Sequence, residues 1–156
     1  MLALVPTPIG VGPRYHPPPA VHAPCAPGSL RGAARAHVEL FANRRIVIVP
    51  AATGLRGARF SFGRVTSARC RAALWTTDPS GVVSFSGRAL LGDLFTVWGE
   101  PLSRTRLASF HGAVSLFRNG LPVRGDPRHL ALRDGDELVL EIGGFVPPHR
   151  SYRFPP

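Results

Sequence analysis

The sequence lacks lysine and glutamine entirely, and all 19 of its cationic side chains belong to arginine. Carboxylates are scarce as well: there are nine Asp and Glu in 156 residues, and the net charge is +10. Residues 1–30 hold one arginine and no acid, whereas residues 31–71 hold nine arginines and the single acid Glu39, which leaves a charge of +8 in that segment. A GC-rich genome explains arginine in place of lysine, but it does not explain this segregation. Residues 31–71 therefore predict a positive surface that attracts an anionic partner.

Long apolar runs are absent too. No stretch approaches the ~18 consecutive apolar residues that a transmembrane helix needs. Residues 1–6 carry no basic side chain, and Pro6 and Pro8 interrupt the apolar stretch, so the start is not typical of a signal peptide. These residues alone leave two interpretations, a cytoplasmic protein or a chain whose true start lies upstream.

No motif of a catalytic or cofactor site occurs in the sequence. The six histidines form no H-x-H, H-x-x-H or H-E-x-x-H spacing, and there is no C-x-x-C, so no metal site is predicted. A G-x-S-x-G nucleophile elbow and a phosphate-binding loop ending in Lys-Ser/Thr are also missing. We therefore expect no enzymatic activity, no cofactor and no metal.

Cysteine occurs only twice, at Cys25 and Cys70. Two alternatives remain open: a pair of buried thiols that pack as small apolar groups, or one disulfide if the protein is exported. A disulfide requires Cα atoms within about 7 Å of each other, and it would tie the N-terminal segment to the domain.

Proline and glycine are abundant, with 17 of each, and their placement predicts the organisation of the chain. Six prolines fall within residues 6–19, where the missing N–H groups and the restricted φ exclude a helix or a central strand. We predict a Pro-rich extended arm over residues 1–30, a single β-rich domain over residues 31–146, and an extended C-terminal tail over residues 147–156.

Most of the domain has the pattern of β-strands. The run from Ile46 to Val49 is continuously apolar and β-branched, which predicts a strand covered on both faces. Asn119-Gly120 is a strong signal for a hairpin turn, and Tyr152 and Phe154 are expected to hold the tail against the domain. The predicted strands are residues 37–42, 45–50, 59–62, 70–76, 82–85, 113–118, 130–132 and 137–142.

One helix is predicted, over residues 89–98, where apolar side chains recur at helical spacing and Gly99 and Pro101 supply a stop. Its internal Gly92 indicates close packing against another element. A hairpin, a helix and further strands follow one another in the order of a β-grasp-like α+β fold, in which one helix covers a mixed sheet. A small β-barrel or sandwich is the alternative.

The motif Leu91-Gly92-Asp93-Leu94-Phe95-Thr96-Val97-Trp98-Gly99 and the tail 146–155 resemble an uncharacterised family of small bacterial proteins from GC-rich lineages. The resemblance covers roughly residues 37–156. Its members often look exported or membrane-anchored, which implies an extracytoplasmic place and a Cys25–Cys70 bond. Some relatives carry histidines where this chain has Trp75 and Thr77; if those bind a metal, both ligands are lost here.

We therefore expect a non-enzymatic interaction module outside the cytoplasm, whose basic residues 31–71 dock on an anionic polymer or an acidic protein surface. A small nucleic-acid-binding protein is the first alternative, with arginines on phosphates and phenylalanines stacked on bases. A degenerate metal-binding relative is the second. The residues predicted to contact an anionic partner are Arg35, Arg44, Arg45, Arg56, Arg59, Arg64, Arg69 and Arg71.

Overall fold

A computed structural model describes residues 24–31 and 34–156. The predicted arm up to residue 23, including His16 and His22, lies outside the described residues. The strands are β1 (Ala34–Ala42), β2 (Arg45–Val47), β3 (Leu55–Arg56), β4 (Arg59–Ser61), β5 (Arg64–Ser67), β6 (Cys70–Arg71), β7 (Leu74–Trp75), β8 (Val82–Phe85), β9 (Leu102–Ser103), β10 (Arg106–Leu107), β11 (Phe110–His111), β12 (Val114–Arg118), β13 (Leu121–Val123) and β14 (Glu137–Ile142). The helices are α1 (Leu91–Trp98) and a 3₁₀ helix (Pro127–His129).

A mixed sheet of seven strands lies at the centre of the fold. Its strand order is β13-β12-β14-β1-β8-β7, and β2 pairs with the far end of β1. β1 and β14 run parallel, with His37 opposite Glu137, whereas the other pairs in this sheet are antiparallel. The predicted α+β fold with a mixed sheet and one α-helix is therefore confirmed for the described residues, and the sheet does not close into a barrel.

α1 covers one face of this sheet. The Leu90 N–H donates to the Asp93 carboxylate (2.9 Å) at the start of the helix, and Gly99 ends it at φ 81°. A Cβ on Gly92 would come within 2.9 Å of the Arg128 carbonyl oxygen, which confirms the predicted close packing. No helix among the described residues is long and apolar enough to span a membrane. The core between helix and sheet includes Ala36, Val38, Leu40, Leu91, Leu94, Phe95, Trp98, Leu138, Leu140 and Ile142.

Two strand predictions are wrong. The run after Arg44 forms a strand only as far as Val47, and Ile46 is 51% exposed, because β2 pairs only with the end of β1 at the edge of the sheet. Residues 130–132 form a single bridge, between Ala131 and Leu90, since they connect a 3₁₀ helix to a turn and meet no second strand.

A second, smaller core lies around Trp75, which is fully buried. The two-stranded sheets β3–β6 and β4–β5 surround it and contribute Leu55 and Val65. The Trp75 indole N–H donates to the carbonyl of Leu30 (2.9 Å), so this cluster also holds the segment that precedes the domain. Predicted strand 70–76 divides into β6 and β7 because its two halves belong to different sheets.

A disulfide joins Cys25 to Cys70 with a Cα–Cα distance of 5.5 Å. Next to it, Ala26 and Arg71 exchange two backbone hydrogen bonds of 3.0 and 2.9 Å. The disulfide alternative is therefore confirmed, and the described part of the arm, residues 24–30, is fixed to β6. Bonds of this kind form and persist in oxidising compartments.

Replacing Cys25 and Cys70 together with serine is expected to lower the free energy of unfolding by about 2–4 kcal/mol, because the bond closes a long loop of chain. Urea unfolding followed by circular dichroism measures the loss, and Ser29→Ala serves as a matched control in the same segment. Equal midpoints for the double variant and the wild type, or two titratable thiols in non-reduced denatured protein, would contradict the assignment.

Candidate functional site

The sheet face opposite α1 carries ionisable side chains. Side chains alternate across a strand, so His37 and Glu39 of β1 project from this face while Val38 and Leu40 enter the core. The parallel register sets Glu137 beside His37. The central strands are consequently apolar on one face and polar on the other.

His37 makes two buried polar contacts. Its Nδ1 lies 2.7 Å from Oε2 of Glu137, and its Nε2 lies 2.9 Å from the carbonyl oxygen of Ser80. A carbonyl only accepts, so Nε2 carries the proton of this hydrogen bond. Gly81 allows the close approach: at φ 89° a Cβ there would meet the Val38 carbonyl oxygen at 2.5 Å.

Glu137 and Glu39 bring two carboxyl groups to the same point. The Glu137 side chain is 1% exposed, and no group among the described residues donates a hydrogen bond to its Oε1. Burial raises the pKa of Glu137, the His37 contact opposes this rise, and the neighbouring Glu39 adds to it. One ligand-type atom from each of His37, Glu39 and Glu137 lies within 4.8 Å of the others. We call these three residues the β1–β14 cluster.

The C-terminal tail covers the cluster. Nδ1 of His149 lies 2.8 Å from Oε2 of Glu39, and this hydrogen bond raises the pKa of His149. The Tyr152 ring stacks on the His37 ring, with centroids 3.6 Å apart and planes 9° apart. The Phe154 ring packs edge-on against Tyr152, and the Arg35 guanidinium lies 5.3 Å from its centroid. The tail therefore lies against the domain through these two aromatic residues, as predicted.

Sequence reasoning missed this cluster. A signal was present, because His37 and Glu39 stand two apart in a predicted strand and must share a face. Alternation along the predicted strand 137–142 places Leu138, Leu140 and Ile142 on the core face and Glu137 on the opposite face, which the sequence alone predicts to be exposed to solvent. Nothing in its neighbourhood indicates that a tail beginning ten residues later covers that face.

The eight arginines predicted to contact a partner fall into two groups. Arg35 and Arg71 are half-buried: the Arg35 guanidinium donates to the Pro155 carbonyl (2.7 Å), and that of Arg71 lies 4.2 Å from the centroid of the Trp75 ring. The others are exposed, namely Arg44, Arg45, Arg56, Arg59, Arg64 and Arg69. Among the described residues, no carboxylate forms a salt bridge with Arg44, Arg45, Arg59, Arg64 or Arg69.

The β4–β5 hairpin combines two of these arginines with exposed aromatic side chains. Phe62 is fully exposed and Phe60 is 41% exposed, beside the exposed Arg59 and Arg64. Phe62 occupies the turn at φ 50°, followed by Gly63 at φ 75°. Asn or Gly is the usual residue at such a turn position, since a left-handed conformation is costly for a large side chain. The predicted strand 59–62 is confirmed as far as Ser61.

An open groove of about 520 Å³ lies elsewhere, beside β12 and β13. Arg104, Arg124, Asp126 and His129 contribute its polar lining, and Leu116 and Val123 contribute apolar side chains. No member of the β1–β14 cluster or of the β4–β5 hairpin lines it.

Comparison of the chain with protein-family models, with curated proteins and with solved structures found no match. The family resemblance therefore stays a prediction.

Glu141, on the same sheet face, is a buried acid with one orphaned oxygen. The Val146 N–H donates to its Oε1 (3.2 Å), while Oε2 has no partner in the part of the chain that the structure describes. The residues opposite on the neighbouring strands, Phe41 and Ser115, are uncharged. Burial raises the pKa of Glu141 above its ordinary value of 4.5, and the Val146 hydrogen bond only partly offsets this. The fold therefore favours the protonated acid.

Glu141→Gln is expected to raise Tm at pH 7 and to leave it nearly unchanged below pH 4. A carboxyl group whose pKa is higher in the folded state than in the unfolded state stabilises the fold at a pH below its unfolded-state pKa. This stabilisation is lost as the pH rises through the folded-state pKa, and glutamine, which stays neutral, does not lose it. Removing the buried charge is expected to raise the free energy of unfolding by on the order of 1 kcal/mol, which corresponds to a rise in Tm of roughly 2–4 °C at this chain length. Calorimetry between pH 4 and pH 7 measures the change in Tm, and the control is the exposed Asp134→Asn, which keeps the side-chain oxygen that accepts from the Arg35 N–H. A pH-independent difference would contradict the assignment.

Proposed function

We propose that this protein is a non-enzymatic interaction module outside the cytoplasm, which docks on an anionic polymer or membrane surface through the β4–β5 hairpin. The observation that carries the proposal is the pairing of exposed arginines with exposed phenylalanines on this hairpin. An exposed aromatic side chain in a strained turn has a cost for an isolated domain, and contact with a partner offsets that cost.

Charge supports an anionic partner. The exposed arginines of residues 44–69 have no acid among them in the sequence, and several lack a salt bridge within the described chain. Uncompensated charges of one sign attract a polyanion and raise its rate of association, and salt weakens both effects.

The aromatic tip favours a surface that offers apolar contact as well as charge. Burying a phenylalanine side chain is worth roughly 1.5–3 kcal/mol, so Phe62 contributes beyond electrostatic attraction. A lipid surface with anionic headgroups offers both, because aromatic side chains settle at its interface while arginines meet the headgroups.

The disulfide supports a location outside the cytoplasm, since oxidising compartments preserve such bonds. Single-stranded nucleic acid is the second candidate, because bases stack on exposed phenylalanines while arginines contact phosphates. We place it second because the disulfide supports a location outside the cytoplasm.

Arg59→Glu combined with Arg64→Glu is expected to weaken binding to anionic phospholipid vesicles more than about tenfold, because each arginine near such a surface contributes about 1 kcal/mol. The matched control is Arg88→Glu combined with Arg133→Glu, which changes the charge equally at exposed positions outside residues 31–71. Vesicle co-sedimentation measures the binding of both double variants. Binding to a sulfated polysaccharide and to single-stranded DNA is measured in parallel.

Equal losses in the two double variants would show a response to net charge alone and would contradict docking through the hairpin. Phe62→Ser separates the partners: it should weaken vesicle binding and leave binding to the polysaccharide unchanged. Retention on single-stranded DNA that exceeds vesicle binding and falls steeply with salt would favour the second candidate instead.

A further inference from the structure

The β1–β14 cluster presents three atoms of the kinds that bind metal ions, and their lone pairs are not all matched by donors. His37 donates through Nε2 to the Ser80 carbonyl, so in the neutral imidazole Nδ1 of the same ring carries a lone pair. That nitrogen lies 2.7 Å from the Glu137 carboxylate, which also only accepts when ionised. A positive charge must lie between them, either a proton or a metal ion.

The other oxygen of Glu137 also lacks a positive charge or a hydrogen-bond donor beside it. Among the described residues Oε1 has no donor when both carboxyl groups are ionised, and the carboxyl group of Glu39 can hydrogen-bond Glu137 only when one of the two carries a proton. Without an ion, one proton is needed between His37 and Glu137 and a second one between Glu137 and Glu39. A divalent cation satisfies the imidazole nitrogen and both carboxylates together, which removes the cost of burying them unpaired.

We propose that His37, Glu39 and Glu137 bind a divalent transition-metal ion, for which Zn²⁺ is the appropriate probe. Imidazole nitrogen combined with carboxylate oxygen suits zinc and its neighbours in the series, whereas Mg²⁺ and Ca²⁺ take oxygen ligands. Three protein ligands are also the number that leaves one tetrahedral position open.

The surroundings of the three ligands match those of metal sites. A metal-binding histidine donates its other N–H to a carbonyl or a carboxylate, as His37 does to Ser80, and ligating carboxylates are themselves hydrogen-bonded, as Glu39 is to His149. The stacked ring of Tyr152 restrains the plane of the His37 imidazole. These contacts hold the ligands in place before any ion arrives.

This site is distinct from the one that the family resemblance implies. The lost histidines of that pattern correspond to Trp75 and Thr77, and Trp75 is buried in the second core. The sequence alone predicted no metal, because only ligands with short spacing along the chain can be recognised in it. His37 and Glu137 are 100 residues apart, so spacing could not bring them together.

Calorimetric titration of the full chain, disulfide intact, with Zn²⁺ tests the proposal. We expect one ion per chain with release of protons, since the cluster must lose the proton that the ion replaces. Glu137→Gln and Glu39→Gln, which keep side-chain shape, should each weaken binding at least about a hundredfold, because even outer-shell changes cost 10–100-fold. Tyr152→Leu should weaken it about tenfold.

His111→Asn combined with His129→Asn is the matched control, because both histidines are exposed and outside the cluster, and it should bind as the wild type does. Circular dichroism checks that each variant is folded. If Glu137→Gln does not fold, the zinc affinity of Glu39→Gln, at the rim of the cluster, tests the proposal by itself. No binding by the wild type, or binding that survives both glutamine variants, overturns the proposal. Neither result bears on docking through the β4–β5 hairpin.

Discussion

β1 and β14 pair in parallel from His37 opposite Glu137 to Ala42 opposite Ile142, and every residue of β14 is buried. A strand buried on both faces needs a cover on each side. α1 covers the apolar face, and the C-terminal tail covers the polar one. The parallel register therefore determines both where the core lies and which ionisable groups meet.

The polar face differs from a core in what stabilises it. Burying carboxylates is costly unless each finds a donor or a cation, and both Glu137 and Glu141 retain an orphaned oxygen. Groups held against their preferred solvation commonly mark a binding site. The tail adds specific contacts there: an imidazole on Glu39, a ring on His37 and a carbonyl for Arg35.

The basic hairpin packs on the second core and belongs to a different sheet from the β1–β14 cluster. Trp75 gathers β3–β6 and β4–β5 around it, and the Cys25–Cys70 bond attaches residues 24–31 to the same region. Val65 packs in the second core and so holds the strands that carry Arg59 and Arg64. Phe62, in the turn between these strands, belongs to neither apolar cluster of the described residues. The two sites belong to different parts of one fold.

Local patterns predicted the elements well because their causes are local. Gly99 ends α1, Asn43 and Arg44 make the tight turn between β1 and β2, and Leu138, Leu140 and Ile142 point inward as alternation requires. The predictions that failed concern contacts between residues that are far apart in the sequence. Alternation assigned Glu137 to an outer face but could not reveal that residues 149–154 cover it, and charge counting could not show which arginines pack on Trp75 or bind the tail.

The state of the His37 ring tests the account most directly. Long-range ¹H–¹⁵N NMR of the full chain should show a proton on Nε2, held by Ser80, and one equivalent of Zn²⁺ should shift the Nδ1 resonance while His111 and His129 stay unchanged. A proton found on Nδ1 instead, with a resonance that Zn²⁺ does not move, would contradict the claim that the parallel register of β1 and β14 builds a metal site.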